Sequence, residues 1–381
     1  MLEFTPEQNE FRAQVARFVK AEIAPKAQAW SREDRFPREI PLKLGELGWL
    51  SVGFDSAFGG VGGATERSIL IEELAKGAPG VALGVYVHSA LAAAALAQVG
   101  SRALAERFVR EMLAGRCLGA WAYAEPDSGA DVTQARLAAR RKGGDFVLVG
   151  EKAYITNGTC ADLIMVVART GGEPGKLVGL SVFAVDGDTP GLVRRPMAKL
   201  GMQPSELGAL HFDECVVPAE RIVGEVDHGF RACLSVLSRG RVFGGALALG
   251  IAGAAFETAL AHVGVRRQFG APIAAKQAVR FALADMIARL AAARALVYAA
   301  ARAMDAGRPF DADASLAKLV ASEAATWIAE RALHVQGAQG YMLDSPAQRY
   351  YRDCKVIEWG EGVNELQREM IFEAAVAGYR P

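Results

Sequence analysis

The sequence predicts an α+β fold that is mostly α, ordered as a helical unit, a β unit and a second helical unit. Three observations carry this expectation. Helical-period apolar faces fill residues 1–119 and return over 230–381, short β-rich runs separated by glycine turns fill 120–229, and no helix-length segment interrupts those runs. The chain has 381 residues, 51% of them hydrophobic, which is enough core for two or three units at ~150 residues each.

Thr5-Pro6-Glu7-Gln8 has the form of a capping box with proline at the first helical position, and Phe11, Val15, Phe18 and Val19 mark one face of the helix that follows. Trp49 to Gly63 is a glycine-rich break. Its Gly59–Gly63 run resembles a phosphate nest, but no strand and helix frame it as a phosphate loop requires. A helical pattern resumes over Glu66–Ala75, and Val81–Gln98 reads as an Ala/Leu-rich buried helix. The β-rich runs are Phe146–Val149, Ile164–Val167, Leu180–Val185 and Leu210–Phe212, a spacing that predicts an antiparallel barrel or sandwich. Arg241–His262, Pro272–Met304 and Asp313–Gln336 then read as three long apolar-faced helices. Asp285 and Arg289 at i,i+4 fit a helix surface, while Leu283, Met286, Ile287 and Leu290 read as core.

Composition removes several function classes. Lys+Arg and Asp+Glu both number 43, and a neutral chain has no global field for a nucleic acid. Five cysteines at wide spacings, none as CxxC, argue for reduced, mostly buried thiols rather than a disulfide framework or a zinc site. None of the five histidines stand at i,i+4. The first twelve residues lack the basic start and apolar stretch of a signal peptide, and the longest apolar run, Val242–Phe256, is short of the ~20 residues a membrane span needs. A soluble cytoplasmic protein with no membrane or nucleic-acid partner is expected. There is no GxGxxG, no GxxxxGK[ST] and no GxSxG, so Rossmann, P-loop and acyl-hydrolase readings lack their motifs.

Seven segments occur in a fixed order: Trp121–Asp131 (WAYAEPDSGAD), Tyr154–Gly158 (YITNG), Leu200-Gly201-Met202 with His211–Pro218 (HFDECVVP), Arg266–Gly270 (RQFG after Arg266), Gln336–Tyr341 (QGAQGY), Arg349–Asp353 (RYYRD) and Gly360-Glu361-Gly362. Together they resemble the signatures of the acyl-CoA dehydrogenase family of flavoproteins, and the match runs from the first helix almost to Pro381. The resemblance implies a helical domain over 1–119, a β domain over 120–229 and a C-terminal four-helix-bundle domain over 230–381.

It also implies a chemistry: FAD-dependent α,β-dehydrogenation of an acyl thioester, with the α-proton taken by a base and the β-hydrogen leaving as hydride to flavin N5. An unactivated α-C–H is too weak an acid for a carboxylate alone, so the thioester oxygen must be held by preformed donors and the base must sit in a dry site that raises its pKa. Glu361, between two glycines that let backbone and thioester approach closely, is the expected base; taken without its signature it would read as a solvated loop carboxylate. Some family members place the base one residue before the arginine aligned with Arg241, but here that position is Gly240.

By resemblance, Trp121, Tyr123, Ala124, Gly129 and Ala130 line the flavin and its ribityl arm, Tyr154 with Ile155 covers the ring, and Thr156 points its hydroxyl toward N5. Alone, Thr156 would read as an ordinary strand residue. Arg266, Phe269, Gln277, His334, Gly337 and Ala338 would reach the FAD of a neighbouring subunit, which implies a homo-oligomer, usually a tetramer built as a dimer of dimers. Val363 and Glu365 sit near the cofactor. Ala130, Ser238, Arg241, Gly360 and Gly362 would meet the acyl thioester, acyl-CoA or acyl-ACP; alone, Arg241 would read as a solvated cation at a helix start. An electron-transferring flavoprotein is the implied electron acceptor.

Several positions depart from the family pattern. Ala124 stands for Thr, Ala130 for Ser, Ser238 for Asp, Gly360 for Tyr or Phe, Val363 for Thr, Trp359 for Ile and Gln203 for Arg. Loss of the aromatic at Gly360 opens space beside the reacting carbons, so an acyl group that is branched or cyclic is expected, and the apolar Val81–Val85 stretch fits an uncharged tail. His88 reads as a satisfied core histidine, with a cavity-facing role as the alternative. An acyl-ACP dehydrogenase, a flavin oxidase or monooxygenase, an enoyl-thioester reductase or lyase, and a non-catalytic carrier-binding scaffold are the other readings the sequence leaves open.

Overall fold

The computed structural model describes residues 3–380. The N-terminal helices are α1 (Pro6–Phe18, continued by a π turn over Val19–Ile23), α2 (Ala27–Glu33), α3 (Glu39–Glu46), α4 (Ala64–Gly77), α5 (Pro79–Tyr86), α6 (Ala94–Val99) and α7 (Arg102–Leu113). The capping box forms: Gln8 N donates to Thr5 Oγ1 at 3.2 Å and Thr5 N to Gln8 Oε1 at 3.1 Å. The glycine-rich run ends against protein carboxylates rather than a phosphate. Asp305 accepts from Ala64 N at 2.5 Å and Thr65 N at 3.0 Å, filling the α4 N-terminus.

A π turn over Val87–Ala93 joins α5 to α6, making one buried rod from Pro79 to Val99. This rod and the helix over Gly229–Val265 are long and apolar enough to cross a membrane, which the shorter run Val242–Phe256 did not suggest. Their most apolar windows are 89% and 67% buried inside the protein, so their hydrophobicity has an internal use.

Eight strands follow: β1 (Gly119–Ala122), β2 (Ala138–Lys142), β3 (Asp145–Thr156), β4 (Leu163–Arg169), β5 (Leu180–Asp186), β6 (Leu192–Pro196), β7 (Leu207–Val217) and β8 (Ile222–Val223). They form one sheet in the order β6-β7-β3-β2-β4-β5-β8 with β1 added beside β4. The sheet is not wholly antiparallel: β1 pairs β4 in parallel from Gly119 opposite Leu163 to Ala122 opposite Val166, and β2 meets β4 in parallel at Ala138 and Arg169. Nor does the strand path close on itself, since β6 and β8 end it. Phe146 on β3 and Phe183 on β5, which are not neighbours in the sheet, stack edge to face at 5.1 Å, so the sheet curls around one core in the manner of a sandwich.

The C-terminal helices are α8 (Gly229–Val265), α9 (Gln277–Asp305), α10 (Asp311–Gln336), α11 (Ala338–Tyr341), α12 (Pro346–Asp353) and α13 (Asn364–Val376). α8 starts twelve residues before Arg241 because Phe230, Cys233 and Val236 continue its buried face toward β5. α8 packs against α10, α9 and α4, which merges the two helical regions into a single core. On α9, Met286 and Leu290 are buried but Leu283 is half-buried and Ile287 is 47% exposed, so the expected core set is only partly core. Arg289 does not pair with Asp285; its guanidinium lies 4.4 Å over the Trp327 ring. All five cysteines are free, and burial pushes the thiols of Cys117, Cys160, Cys233 and Cys354 up to about 12. Among the described residues no cluster of three or more His, Cys, Asp or Glu is arranged for a metal ion.

Candidate active site

A cavity of about 570 Å³ opens where α5, the π turn, β1, β3, α8 and the loop before α13 converge. Its walls are mostly apolar, the size and character expected of a small-molecule site. Glu361 lies in that wall.

The backbone at Glu361 is left-handed, φ +60°, and Gly362 follows at φ +85°. A non-glycine residue there costs about 1–3 kcal/mol and persists only where its surroundings fix it. Lys318 of α10 does much of the fixing. It is fully buried, and its Nζ donates to Glu358 O at 3.0 Å, Gly362 O at 2.7 Å and Asn364 Oδ1 at 2.8 Å. Gln367 Nε2 adds bonds to Glu361 O at 3.2 Å and Gly362 O at 3.1 Å. Burial pushes the Glu361 carboxyl above the usual carboxylate range, opposed by the Tyr86 hydroxyl and then by the charges of Arg241 and Lys318. Burial also brings the Lys318 ammonium down to about 8.

Gly240 of α8 is bare where it meets the carboxylate. A Cβ built on it would stand 2.6 Å from Glu361 Oε2 and 3.0 Å from the Tyr86 hydroxyl. The alternative base position is thus directly beside Glu361, and only glycine leaves the carboxylate room.

The cavity wall from β1 and its following loop contains Trp121, Tyr123, Ala124, Gly129 and Ala130. A fully buried pair holds this loop: Lys152 Nζ donates to Tyr123 O at 2.9 Å and Glu125 Oε1 at 2.8 Å, and Glu125 accepts from the backbone of Arg136 and Leu137. Burial raises the Tyr123 phenol to about 12. From β3, Tyr154 and Thr156 reach the cavity. Tyr154 has φ +61° at a register shift between Lys152 and Ile155. Ile155 does not join them: its side chain is 2% exposed and packs in the core of the sheet. Asn157, also left-handed, donates to Gly84 O at 3.0 Å and Gly119 O at 3.1 Å and so ties α5 to β1 behind the site.

Gly360, Gly362 and Val363 line the cavity, whereas Ser238 and Arg241 flank it on α8, Arg241 Nη1 donating to Ser238 Oγ at 3.4 Å. Arg266, Phe269, Gln277, His334, Gly337, Ala338 and Glu365 lie outside the lining and are exposed. Phe269, with φ +52°, is 92% exposed. His88 takes the core role: Nδ1 accepts from Gly119 N and Nε2 donates to Met112 O, each at 2.9 Å, and burial lowers its pKa to about 4.

Sequence reading missed Tyr86, Lys318 and Gln367. Lys318 leaves a trace, a lone cation within the apolar run Leu316 to Val320; Tyr86 leaves a weaker one, the single polar side chain in Val81–Val87. Nothing in the pattern marks Gln367.

A carboxylate held by a left-handed loop on an apolar cavity, with walls from both helical regions and the sheet, is the setting of an enzyme site. Residues 5–116, 120–215 and 227–376 match the acyl-CoA dehydrogenase N-terminal, middle and C-terminal domains respectively. A probable acyl-CoA dehydrogenase, YngJ, of Bacillus subtilis is 37% identical over 97% of this chain and 98% of its own. The butyryl-CoA dehydrogenase structure of Megasphaera elsdenii superposes with a TM-score of 0.95 at 33% identity, covering 99% of this chain and 100% of that one. The prolyl acyl carrier protein oxidase AnaB superposes at 0.92 with 27% identity, over 99% and 100%. The chain belongs to the acyl-CoA dehydrogenase family, and is an FAD-dependent oxidoreductase of that family.

The residues present fit the flavin. The Trp121 indole Nε1 is buried at the cavity wall with no partner, a donor that a bound ring system would satisfy. Thr156 presents a hydroxyl to the same space, and Gly129 carries no contact that a close approach would disturb.

Proposed function

We propose that the protein catalyses α,β-dehydrogenation of an acyl-CoA thioester with Glu361 as the base. The observation that carries this reading is Glu361, left-handed in its backbone, with its carboxylate on an apolar cavity against the bare Gly240. Trp121, Tyr123, Ala124, Gly129, Ala130, Tyr154 and Thr156, with the backbone at Ile155, hold FAD, which when bound supplies the two-electron acceptor. Val363 and Glu365 border it. Gly360 and Gly362 let the thioester approach the loop, the Glu361 backbone N–H donates to its oxygen, and the apolar walls exclude water so that enolate charge is stabilised as it forms. Desolvation makes Glu361 a stronger base than a surface carboxylate, while the Tyr86 hydroxyl and the charges of Arg241 and Lys318 favour its charged form.

The space at Gly360, where a Cβ would meet nothing closer than Val356 O at 3.4 Å, supports a branched or cyclic acyl group with an uncharged tail. Ser238 and Arg241 flank the arm of the thioester. The exposed set Arg266, Phe269, Gln277, His334, Gly337 and Ala338 lies outside the cavity, which supports a homo-oligomer in which a second copy brings these residues to the cofactor. A dimer of dimers, a soluble cytoplasmic protein and an electron-transferring flavoprotein as acceptor belong to the same reading, as does the division at 119/120 and 229/230.

The test is anaerobic bleaching of the flavin by linear, branched and cyclic acyl thioesters, each as CoA and as carrier-protein ester. Bleaching by branched or cyclic CoA esters supports the reading, and bleaching by none of them contradicts it. The similarity to a carrier-protein oxidase favours one alternative, an acyl-ACP substrate with oxygen as acceptor. Preference for the carrier-protein ester with rapid reoxidation in air would select it.

A further inference from the structure

The rod from Pro79 to Val99 gives the cavity Leu83, Tyr86, Val87 and Leu91, and only Tyr86 among them is polar. Its side chain is 2% exposed, so its hydroxyl has no water to fall back on. That hydroxyl has one proton and two acceptors in reach. It donates to Gly240 O at 3.2 Å, and it also faces the Glu361 carboxylate across the empty Cβ position of Gly240. The other groups facing the carboxylate are Arg241 from α8, Lys318 from α10 and, beyond Tyr86, the Tyr123 phenol at the end of β1.

We propose that Tyr86 is a positioning residue for proton abstraction, its hydroxyl donating to the Glu361 carboxylate while the base is charged and turning to the Gly240 carbonyl once the base has taken the α-proton. This rests on Glu361 being the base. In that step the α-C–H bond breaks, its electron pair stays on the substrate carbon, and the proton forms an O–H bond on Glu361. A carboxylate in a dry wall needs a donor to stay charged and to keep one oxygen aimed at the substrate. A neutral carboxyl needs none, and the Gly240 carbonyl then takes the freed hydroxyl without leaving it orphaned. The ring at the same time forms part of the cavity wall. Arg241 and Lys318 act on the same carboxylate, so Tyr86 supplies one of three stabilising contributions.

The test is Tyr86→Phe in the holoenzyme, which keeps the ring and removes the hydroxyl. Losing a donor to the charged form raises the pKa of the base. The acid limb of the kcat/KM–pH profile is therefore expected to move up by about one unit, with the plateau above it kept. Difference infrared titration of the protonated carboxyl band, assigned by its absence in Glu361→Gln, should shift by the same amount. A loss of plateau with the limb and the band unmoved would show a merely structural role and overturn the proposal. If Tyr86→Phe does not fold, site-specific 3-fluorotyrosine at position 86, a stronger donor, should move both readouts down; no movement again overturns it. Glu361→Gln separates the two claims. If that variant keeps the normal rate, the base assignment itself falls. If it is inactive while Tyr86→Phe leaves the limb in place, only the role of Tyr86 falls.

Discussion

The loop that carries Glu361 is held from inside the chain: Lys318 bonds three of its acceptors, Gln367 two, and Asn364 is held further by Ser322 at 3.1 Å. Around Phe269 and Gly337 the reverse holds. Arg266, Phe269, Gln277, His334, Gly337 and Ala338 are exposed, and Tyr341 and Leu343 beside them are 74% and 70% exposed. The first region is preorganised by its own chain, as the proposed proton transfer requires. The second is left open, and its large exposed apolar side chains are what the proposed second copy would cover.

The comparison can be broken most forcefully at Lys318. Lys318→Ala leaves three buried acceptors unpaired, and a loss of about 3–5 kcal/mol in unfolding free energy is expected, with activity falling in parallel. Chemical denaturation measures it, and an unchanged midpoint would mean the loop is held by other means. Gly240→Ala comes next. Alanine is favoured over glycine in a helix by about 1 kcal/mol, so stability should hold, while the Cβ at 2.6 Å from Glu361 Oε2 should lower kcat by about tenfold or more. A smaller effect is expected on the exposed side. Arg266→Ala and Phe269→Ala should weaken FAD retention and self-association by a few-fold, with little change in the melting of the dilute protein, read by flavin release and sedimentation. Equal losses of melting temperature in both regions would erase the contrast.

The smallest effect is at His88, and it is silent at neutral pH. Its folded pKa of about 4 lies below the ordinary value of 6.5, so the unfolded chain takes up a proton that the native protein refuses. The stability it contributes is complete above 6.5 and is lost as pH falls through about 4. Ring signals of labelled His88 should stay neutral at pH 5; a titration near 6.5 would contradict its buried, doubly bonded setting.

Much of this was legible in the residues. The longer helices followed from apolar periodicity, and the signatures before Glu361 singled out a residue that the structure sets in the cavity wall. The parallel pairing of β1 with β4 was not, because four apolar residues at Gly119–Ala122 say nothing about which strand they join. That the Ile155 side chain turns into the sheet core was not legible either, because the register shift between Lys152 and Ile155, with Tyr154 at φ +61°, breaks the alternation of a strand. The start of α8 was read late because residues 229–240 bury only every third side chain. Tyr86 and Lys318 gain their roles from burial against distant elements, which no local window contains.

The central claim is that Glu361 takes the α-proton, and deuterium exchange at the α-carbon of a bound acyl-CoA reports that step without requiring turnover. The holoenzyme should exchange the α-position with solvent, and Glu361→Gln, still binding FAD and thioester, should slow the exchange by about 10²–10⁴-fold. Exchange at the same rate in both proteins would contradict the account.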